Sequence, residues 1–195
     1  MKIRNFLLLL LVILAGCSKS EPPLPTHGVD VSWRYEQAAA DFRLTDAGGK
    51  ARSLADFRGK VVVLFFGYTH CPEVCPTTLA DLAQVMRLLG PDAQSVQVLF
   101  VTLDPERDTP AVLAKYVPSF NTSFLGLYGD ALATAQAAKV FAVNYEKHPE
   151  KNGYTLDHSD ATYLIGKSGK TVLMSPYGQR TELLLQDIKL LLGIR

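Results

Sequence analysis

The sequence predicts a three-layer α/β fold, in which helices cover a central mixed β-sheet. The continuous apolar run at residues 61–68 is typical of a strand that is covered on both faces, and residues 96–103 predict a second buried strand. A segment with helical features follows each run. A closing strand pair around Lys167-Ser168-Gly169 and a last helix complete the pattern. The order strand, helix, strand, helix, strand pair, helix is the basis for this fold class.

The first half of the chain predicts a hairpin, a buried strand and a helix. Residues 42–54 indicate a small N-terminal β-hairpin, because Gly48-Gly49 separates two short strand-like segments. After the strand at 61–68, a helix is expected from Pro76 to Gly90-Pro91, where the pattern stops. The apolar residues on its buried face recur at steps of three and four: Leu79, Leu82, Ala83, Met86 and Leu89.

The second half continues the alternation. Thr109-Pro110 combines a capping residue with a first-turn proline and predicts the start of a helix. Residues 124–128 predict a short strand, and Asp130 caps an alanine-rich helix that reaches about Val143. The polar segment 145–160 predicts a loop, and a loop of this length in a compact domain is often functional. The last helix has its apolar face at Leu183, Leu184, Ile188, Leu191 and Leu192.

The N-terminus has the features of an exported lipoprotein. Residues 1–16 combine basic residues, a short apolar core and small residues, as in a secretory signal peptide. Leu14-Ala15-Gly16-Cys17 resembles a bacterial lipobox, so we expect cleavage before Cys17 and lipid attachment to it. The alternative is an uncleaved signal anchor, although the apolar run is shorter than the roughly 20 residues that span a bilayer. Residues 17–34 then form a linker with several prolines, and residues 35–195 form the domain.

Charge and cysteine content narrow the function classes. The chain has 20 basic and 19 acidic residues, and it loses two of the basic ones, Lys2 and Arg4, with the signal peptide. This near-neutral balance argues against a surface for nucleic acid or anionic lipid. Apart from Cys17, only Cys71 and Cys75 carry thiols, which is too few for a disulfide scaffold in an exported protein. The pair therefore indicates a site.

The two cysteines form a C-x-x-x-C pair where the first buried strand ends. Each cysteine precedes a proline, so we expect Cys71 and Cys75 to lie outside helical geometry and Pro76 to take the first helical position. Cys75 would then lie near the helix N-cap, where a thiolate is favoured. By themselves the two thiols are compatible with redox chemistry, with copper, zinc or an iron–sulfur cluster, or with a structural disulfide.

Among the histidines, His158 is the candidate ligand. It stands shortly before a predicted strand, between Asp157 and Asp160, and either carboxylate can orient its ring as metal-bound histidines require. A histidine that caps a loop is the alternative. His148 lies in a charged segment and is expected to be exposed, and the side chain of His70 is expected to point away from that of Cys71.

Three segments together resemble the SCO/SenC family of copper-binding, thioredoxin-like proteins of respiratory membranes. They are residues 66–76 with the cysteine pair, residues 102–110 (Thr-Leu-Asp-Pro-Glu-Arg-Asp-Thr-Pro), and Asp157-His158-Ser159. The resemblance extends from about Phe42 to the C-terminus and implies a thioredoxin-like fold.

The resemblance also implies a function. It makes Cys71, Cys75 and His158 the ligands of one copper ion per chain, as Cu(I) or Cu(II), and the same cysteines can form a redox-active disulfide. It implies a metallochaperone, not a turnover enzyme, which delivers copper to the binuclear site of cytochrome c oxidase subunit II or serves another respiratory oxidase. The alternative is a periplasmic thiol–disulfide reductase that keeps the oxidase cysteines reduced.

The acidic residues of these segments have two possible roles. Asp104, Asp108 and Asp157 are candidates for partner recognition or for support of the site, while local capping by Asp108 and Thr109 is the simpler account.

For the whole protein we expect a lipoprotein on the periplasmic side of a bacterial membrane. Ser18 after the lipidated cysteine favours the outer membrane, whereas the implied oxidase partner lies in the inner one.

Overall fold

The computed structural model describes residues 26–35 and 41–194 of the chain. The strands are β1 (Val29–Asp30), β2 (Leu44–Asp46), β3 (Ala51–Arg52), β4 (Val61–Gly67), β5 (Val96–Thr102), β6 (Leu125–Tyr128), β7 (Tyr145–Glu150), β8 (Gly153–His158), β9 (Thr162–Ile165) and β10 (Thr171–Ser175). The helices are α1 (Val74–Leu89), α2 (Pro110–Phe120), α3 (Ala131–Val140) and α4 (Thr181–Leu192).

Eight of these strands form one mixed sheet, in the order β1-β10-β9-β4-β5-β6-β2-β3. The three central strands β4, β5 and β6 are parallel to one another, and their neighbours on both sides are antiparallel. The α/β fold with a central mixed sheet is thus confirmed. The predicted N-terminal hairpin is present as β2 and β3, with shorter strands than the sequence suggested.

The core lies on both faces of the central strands, which explains why the sequence of β4 is an unbroken apolar run. All seven of its residues are buried. Phe65 and its neighbour Phe100 on β5 lie on the face that α1 and α2 cover. On the opposite face Phe66 packs against Tyr163 and against Phe141, which directly follows α3. Because the sheet is packed on both sides, side chains beyond the end of β4 are held on a rigid base.

The segment at residues 145–160 is not the loop that its polar composition predicted. β7 and β8 pair in a separate two-stranded antiparallel hairpin, with Tyr145 opposite His158 and Glu150 opposite Gly153. Only one face of this hairpin lies against the domain, and Leu156 is buried on that face. A strand that is covered on one face only needs few apolar residues. The charged residues of β7 and Pro149 therefore obscured the alternating pattern from which a strand could have been predicted.

The folded part of the chain includes residues within the range assigned to the linker. β1 pairs with β10, and Val31 is buried. Just before β1, the backbone N–H groups of His27 and Gly28 each donate to the buried carboxylate of Asp187, at 2.8 Å. The signal peptide, Cys17 and its lipid lie outside the described residues and remain predictions. No helix in the described ranges combines the length and the apolar character needed to cross a bilayer.

Candidate metal centre

Three side chains from distant parts of the sequence meet beyond the end of β4. Cys71 lies in the loop after β4, Cys75 in the first turn of α1, and His158 is the last residue of β8. One ligand atom from each lies within 4.8 Å of the other two. Cys75 Sγ is 3.8 Å from His158 Nε2. The expectation that folding brings these three residues together is therefore met, and within the described ranges both cysteines are free thiols.

The cysteine loop differs from expectation in where the helix begins. α1 starts at Val74, so Cys75 already lies inside the helix and Pro76 occupies its third position. Proline is tolerated there because the N–H groups of a first turn have no intrahelical acceptor. Of the pair, Cys71 alone precedes the helix. Its sulfur accepts a hydrogen bond from the Cys75 N–H, at 3.4 Å.

The two thiols are electrostatically unequal. The hydrogen bond from the Cys75 thiol, with help from the backbone N–H groups of Cys75 and Glu73, lowers the pKa of Cys71 to about 5. The same thiol hydrogen bond, together with burial, raises the pKa of Cys75. The thiolate expected at Cys75 is thus favoured at Cys71 instead, because burial disfavours the charged form of the Cys75 sulfur.

A glycine makes room for the buried sulfur. A Cβ added to Gly67 would lie 2.6 Å from Cys75 Sγ and 3.1 Å from the ring of Phe100. Real side-chain contacts are not that short, so a larger residue at this position must displace Cys75. Gly67 was not predicted as a functional residue, although a glycine in an otherwise apolar strand often marks a close approach.

The ring of His158 is oriented by the backbone. Its Nδ1 lies 2.8 Å from the carbonyl oxygen of Ser159. Since a carbonyl only accepts, Nδ1 carries the proton and Nε2 presents its lone pair to the sulfurs. The expected orientation by Asp157 is wrong, because that carboxylate is exposed and lies 3.2 Å from His148 Nε2. Asp160, the other carboxylate considered, is exposed as well.

Asp108 is buried and holds the cysteine loop to the sheet. Its carboxylate accepts the Thr69 N–H at 3.0 Å, the Thr69 hydroxyl at 2.6 Å and the Thr102 hydroxyl at 2.6 Å. Thr109 caps α2, as expected, by accepting the Val112 N–H, whereas Asp108 is turned toward the loop. His70 is exposed, and its Nδ1 is 3.9 Å from Asp108, outside the ligand group.

Asp104 is buried and connects to the hairpin that carries His158. Its carboxylate accepts the Tyr154 hydroxyl at 2.6 Å and Arg107 Nε at 2.5 Å. The Arg107 guanidinium lies 3.7 Å from the centre of the Tyr154 ring. Arg107 thus pairs locally with Asp104, whereas its contact with Tyr154 was not predicted because the strand that carries Tyr154 was not recognised.

The site opens to solvent through a cleft of about 350 Å³. Cys71 and His158 line this cleft together with Tyr68, Glu73 and Thr155, while Cys75 is fully buried behind them. Two sulfurs and one imidazole nitrogen are a soft, three-donor set that suits copper. Structural zinc takes a fourth protein ligand, and the group of candidate ligands found among the described residues ends at three.

Comparison with known proteins identifies the family. The family model for SCO1/SenC matches residues 33–193. The chain belongs to the SCO1/SenC family. A bovine mitochondrial SCO2 homologue is 47% identical over 133 residues, which are 66% of this chain and 50% of the bovine protein. The chain thus spans about half the length of that relative.

Solved structures of Sco proteins have the same thioredoxin-like fold. Copper-bound ScoI from Bradyrhizobium japonicum is 40% identical with a TM-score of 0.71, over 76% of this chain and 96% of that one. Apo Sco1 from Thermus thermophilus is 42% identical, also with a TM-score of 0.71, over 77% and 90% of the two chains. The thioredoxin-like fold expected from the sequence is confirmed.

The unequal thiols predict the pH dependence of alkylation. In the reduced, metal-free protein, the rate at which iodoacetamide modifies Cys71 should rise with pH to a plateau, with a midpoint near pH 5. The midpoint follows because only the thiolate reacts. Peptide mass spectrometry distinguishes Cys71 from the buried Cys75, which should react more slowly. The Cys75→Ala variant should show a higher midpoint for Cys71. A wild-type midpoint above pH 8 would contradict the arrangement.

The close approach at Gly67 predicts the effect of a single methyl group. Gly67→Ala should lower the free energy of unfolding by about 1–3 kcal/mol, as overpacking in a dense core does. It should also reduce metal affinity, because Cys75 Sγ must move. Urea unfolding and copper titration measure the two effects. Gly166→Ala is the matched control, since its added Cβ would meet nothing closer than 3.5 Å. Equal behaviour of the two variants would contradict the prediction.

Proposed function

We propose that this protein is a copper metallochaperone that carries one copper ion between Cys71, Cys75 and His158. The observation that carries the proposal is the convergence of two sulfurs and an imidazole nitrogen within 4.8 Å at an open cleft. Copper-bound ScoI, 40% identical to this chain, supports copper as the ion. The ion is cargo for transfer and not a resident cofactor, because the open cleft leaves the site accessible to a partner.

Each side chain has a distinct part in holding the ion. Cys71 offers a sulfur that is already deprotonated at neutral pH. Cys75 exchanges its proton for the metal, since coordination deprotonates a thiol outright. His158 offers Nε2 while its Nδ1–H stays on the Ser159 carbonyl. The two thiolates satisfy Cu(I), and the imidazole adds the nitrogen donor that Cu(II) favours.

The recipient we propose is the binuclear copper site of cytochrome c oxidase subunit II, or another respiratory oxidase. Family membership supports an assembly role of this kind. We place the protein on the periplasmic side of a bacterial membrane, anchored by lipid at Cys17, on the basis of residues 1–17. Tethering would confine it to the surface where a membrane-bound oxidase is assembled.

A second candidate function is thiol–disulfide reduction of the same partner. The half-exposed Cys71 favours it, because its lowered pKa makes the thiol a ready nucleophile. The Cys71 thiolate would attack a partner disulfide and release one partner thiolate, leaving a mixed disulfide. Cys75 would give up its proton and attack Cys71 Sγ, releasing the second partner thiolate. The partner gains two electrons, and a Cys71–Cys75 disulfide remains.

Removal of the imidazole should affect the affinities for Cu(II) and Cu(I) differently. In His158→Ala, affinity for Cu(II) should fall by about tenfold or more, while Cu(I) binding by the two thiolates changes much less. Competition titrations with chelators under anaerobic and aerobic conditions measure both. His148→Ala removes the other histidine of the same hairpin, which lies outside the ligand group, and should behave as wild type. Equal Cu(II) affinity in wild type and His158→Ala would overturn the three-ligand site.

Mixing experiments with subunit II distinguish delivery from reduction. Copper-loaded protein added to the reduced, metal-free subunit II domain should transfer its ion, seen as the absorption of the filled binuclear site. The reduced, metal-free protein added to the disulfide form should leave that disulfide largely intact, because the resolving Cys75 holds its proton. Rapid reduction of the partner, with a mixed disulfide trapped in Cys75→Ser, together with no copper transfer, would favour the reductase.

A further inference from the structure

We propose that Arg107 and Tyr154 are positioning residues that hold the β7–β8 hairpin against the domain. By doing so they keep His158 beside the sulfurs and set the preference of the site between Cu(II) and Cu(I). The metal preference rests on the proposed function, whereas the positioning of the hairpin can be measured without metal.

The hairpin depends on side-chain contacts for its position. β7 and β8 pair with each other and form a sheet separate from the central one. Five of the six residues of β7 are exposed, so little apolar surface holds it. An isolated two-stranded hairpin is only marginally stable in water. His158, at the end of β8, is therefore placed only as firmly as these contacts allow.

Tyr154 on β8 is held at three points by the segment that follows β5. Its hydroxyl donates to the buried Asp104 carboxylate at 2.6 Å. Its carbonyl oxygen accepts from Arg107 Nη1 at 2.9 Å, and its ring lies under the guanidinium at 3.7 Å. Arg107 is itself fixed by its bond from Nε to Asp104. Charge-assisted bonds and a cation–π contact of this kind are stronger than neutral surface contacts.

The opposite strand is held by the same segment. Lys147 on β7 donates to both carboxylate oxygens of Glu106, at 2.8 and 2.9 Å. Its ammonium also lies 4.1 Å from the centre of the Tyr154 ring. This contact is exposed, so it contributes less than the buried one. The dominant attachment is thus the group of Asp104, Arg107 and Tyr154.

Tyr68 transmits this attachment to His158. Its hydroxyl lies 2.9 Å from the Thr155 hydroxyl and accepts the Leu156 N–H at 3.3 Å. Its ring meets the His158 ring edge to face, with centroids 5.9 Å apart, and Arg107 lies 5.8 Å from its centre. Three successive residues of β8, Tyr154, Thr155 and Leu156, are thereby fixed close to His158 at the end of the strand. The sulfurs do not share this dependence, because α1 and the Asp108 bonds hold them.

Because different contacts hold the imidazole and the sulfurs, loss of the hairpin contacts should change Cu(II) affinity more than Cu(I) affinity. Loosening the hairpin withdraws the imidazole and leaves both sulfurs in place. Two thiolates suffice for Cu(I), whereas Cu(II) loses its nitrogen donor. The ratio of Cu(II) to Cu(I) affinity therefore reports on the hairpin, which a general loss of stability would not mimic.

Tyr154→Phe tests the inference, because it removes only the hydroxyl that reaches Asp104. In the metal-free protein, amide hydrogen exchange at residues 145–158 should become about tenfold faster or more, as expected for the loss of a hydrogen bond to a charged group. In the copper titrations, Cu(II) affinity should fall by about tenfold, while Cu(I) affinity stays within about twofold. Tyr145→Phe, in the same hairpin but with an exposed ring, should change neither quantity.

Arg107→Lys is the second variant, since it keeps the charge beside Asp104 but loses the planar stack on Tyr154. It should act in the same direction, with Cu(I) binding serving as the check on folding. Unchanged hairpin exchange in both variants would overturn the inference, as would faster exchange with an unchanged affinity ratio. If the wild type bound no copper, the proposed function would fail. Faster apo exchange with a shifted His158 ring resonance would then still support the positioning role, and unchanged exchange would refute it.

Discussion

The site depends on the close contact between Gly67 and the sulfur of Cys75. β4 is packed on both faces, and α1 begins after the loop of residues 68–73, with its first turn against the end of the strand. The absent side chain at Gly67 lets the sulfur fill that space. With Cys75 buried and its thiol donating to Cys71, the pKa of the Cys71 thiol is lowered and its thiolate is favoured. The position of one atom therefore determines the charge on its neighbour and the point that His158 must reach.

The three ligands differ in how firmly they are supported. The sulfurs belong to the rigid part of the molecule, where α1 meets the central sheet and Asp108 holds the loop. The imidazole belongs to a hairpin that touches the domain through a few side chains. A copper carrier, as proposed for this protein, must both hold its ion and give it up. Support of this kind allows one ligand to leave without disturbing the other two, so release need not unfold the cysteine loop.

Much of the fold and part of the site could be predicted from the sequence. The buried strand, the spacing of Cys71 and Cys75, and the polar cluster around His158 are local patterns, and the structure brings the two cysteines and the histidine together beyond that strand. The hairpin could not be predicted, because its position comes from contacts between residues about fifty positions apart, such as Tyr154 with Asp104. Which cysteine ionises could not be predicted either, since the answer lies in a hydrogen bond between the two sulfurs and not in proximity to the helix terminus.

The inequality of the thiols bears on which function the site serves. A dithiol reductase needs its second cysteine as a nucleophile, and a buried thiol with a raised pKa reacts slowly in that step. Metal binding has no such difficulty, because a cation replaces the proton and cancels the charge that burial disfavours. A pair with one ready thiolate and one protonated, buried thiol is therefore better suited to capturing a soft cation than to repeated disulfide exchange. The open cleft over Cys71 fits the proposed transfer, because a partner's thiolate could approach a bound ion from the side where the Cys71 sulfur is exposed.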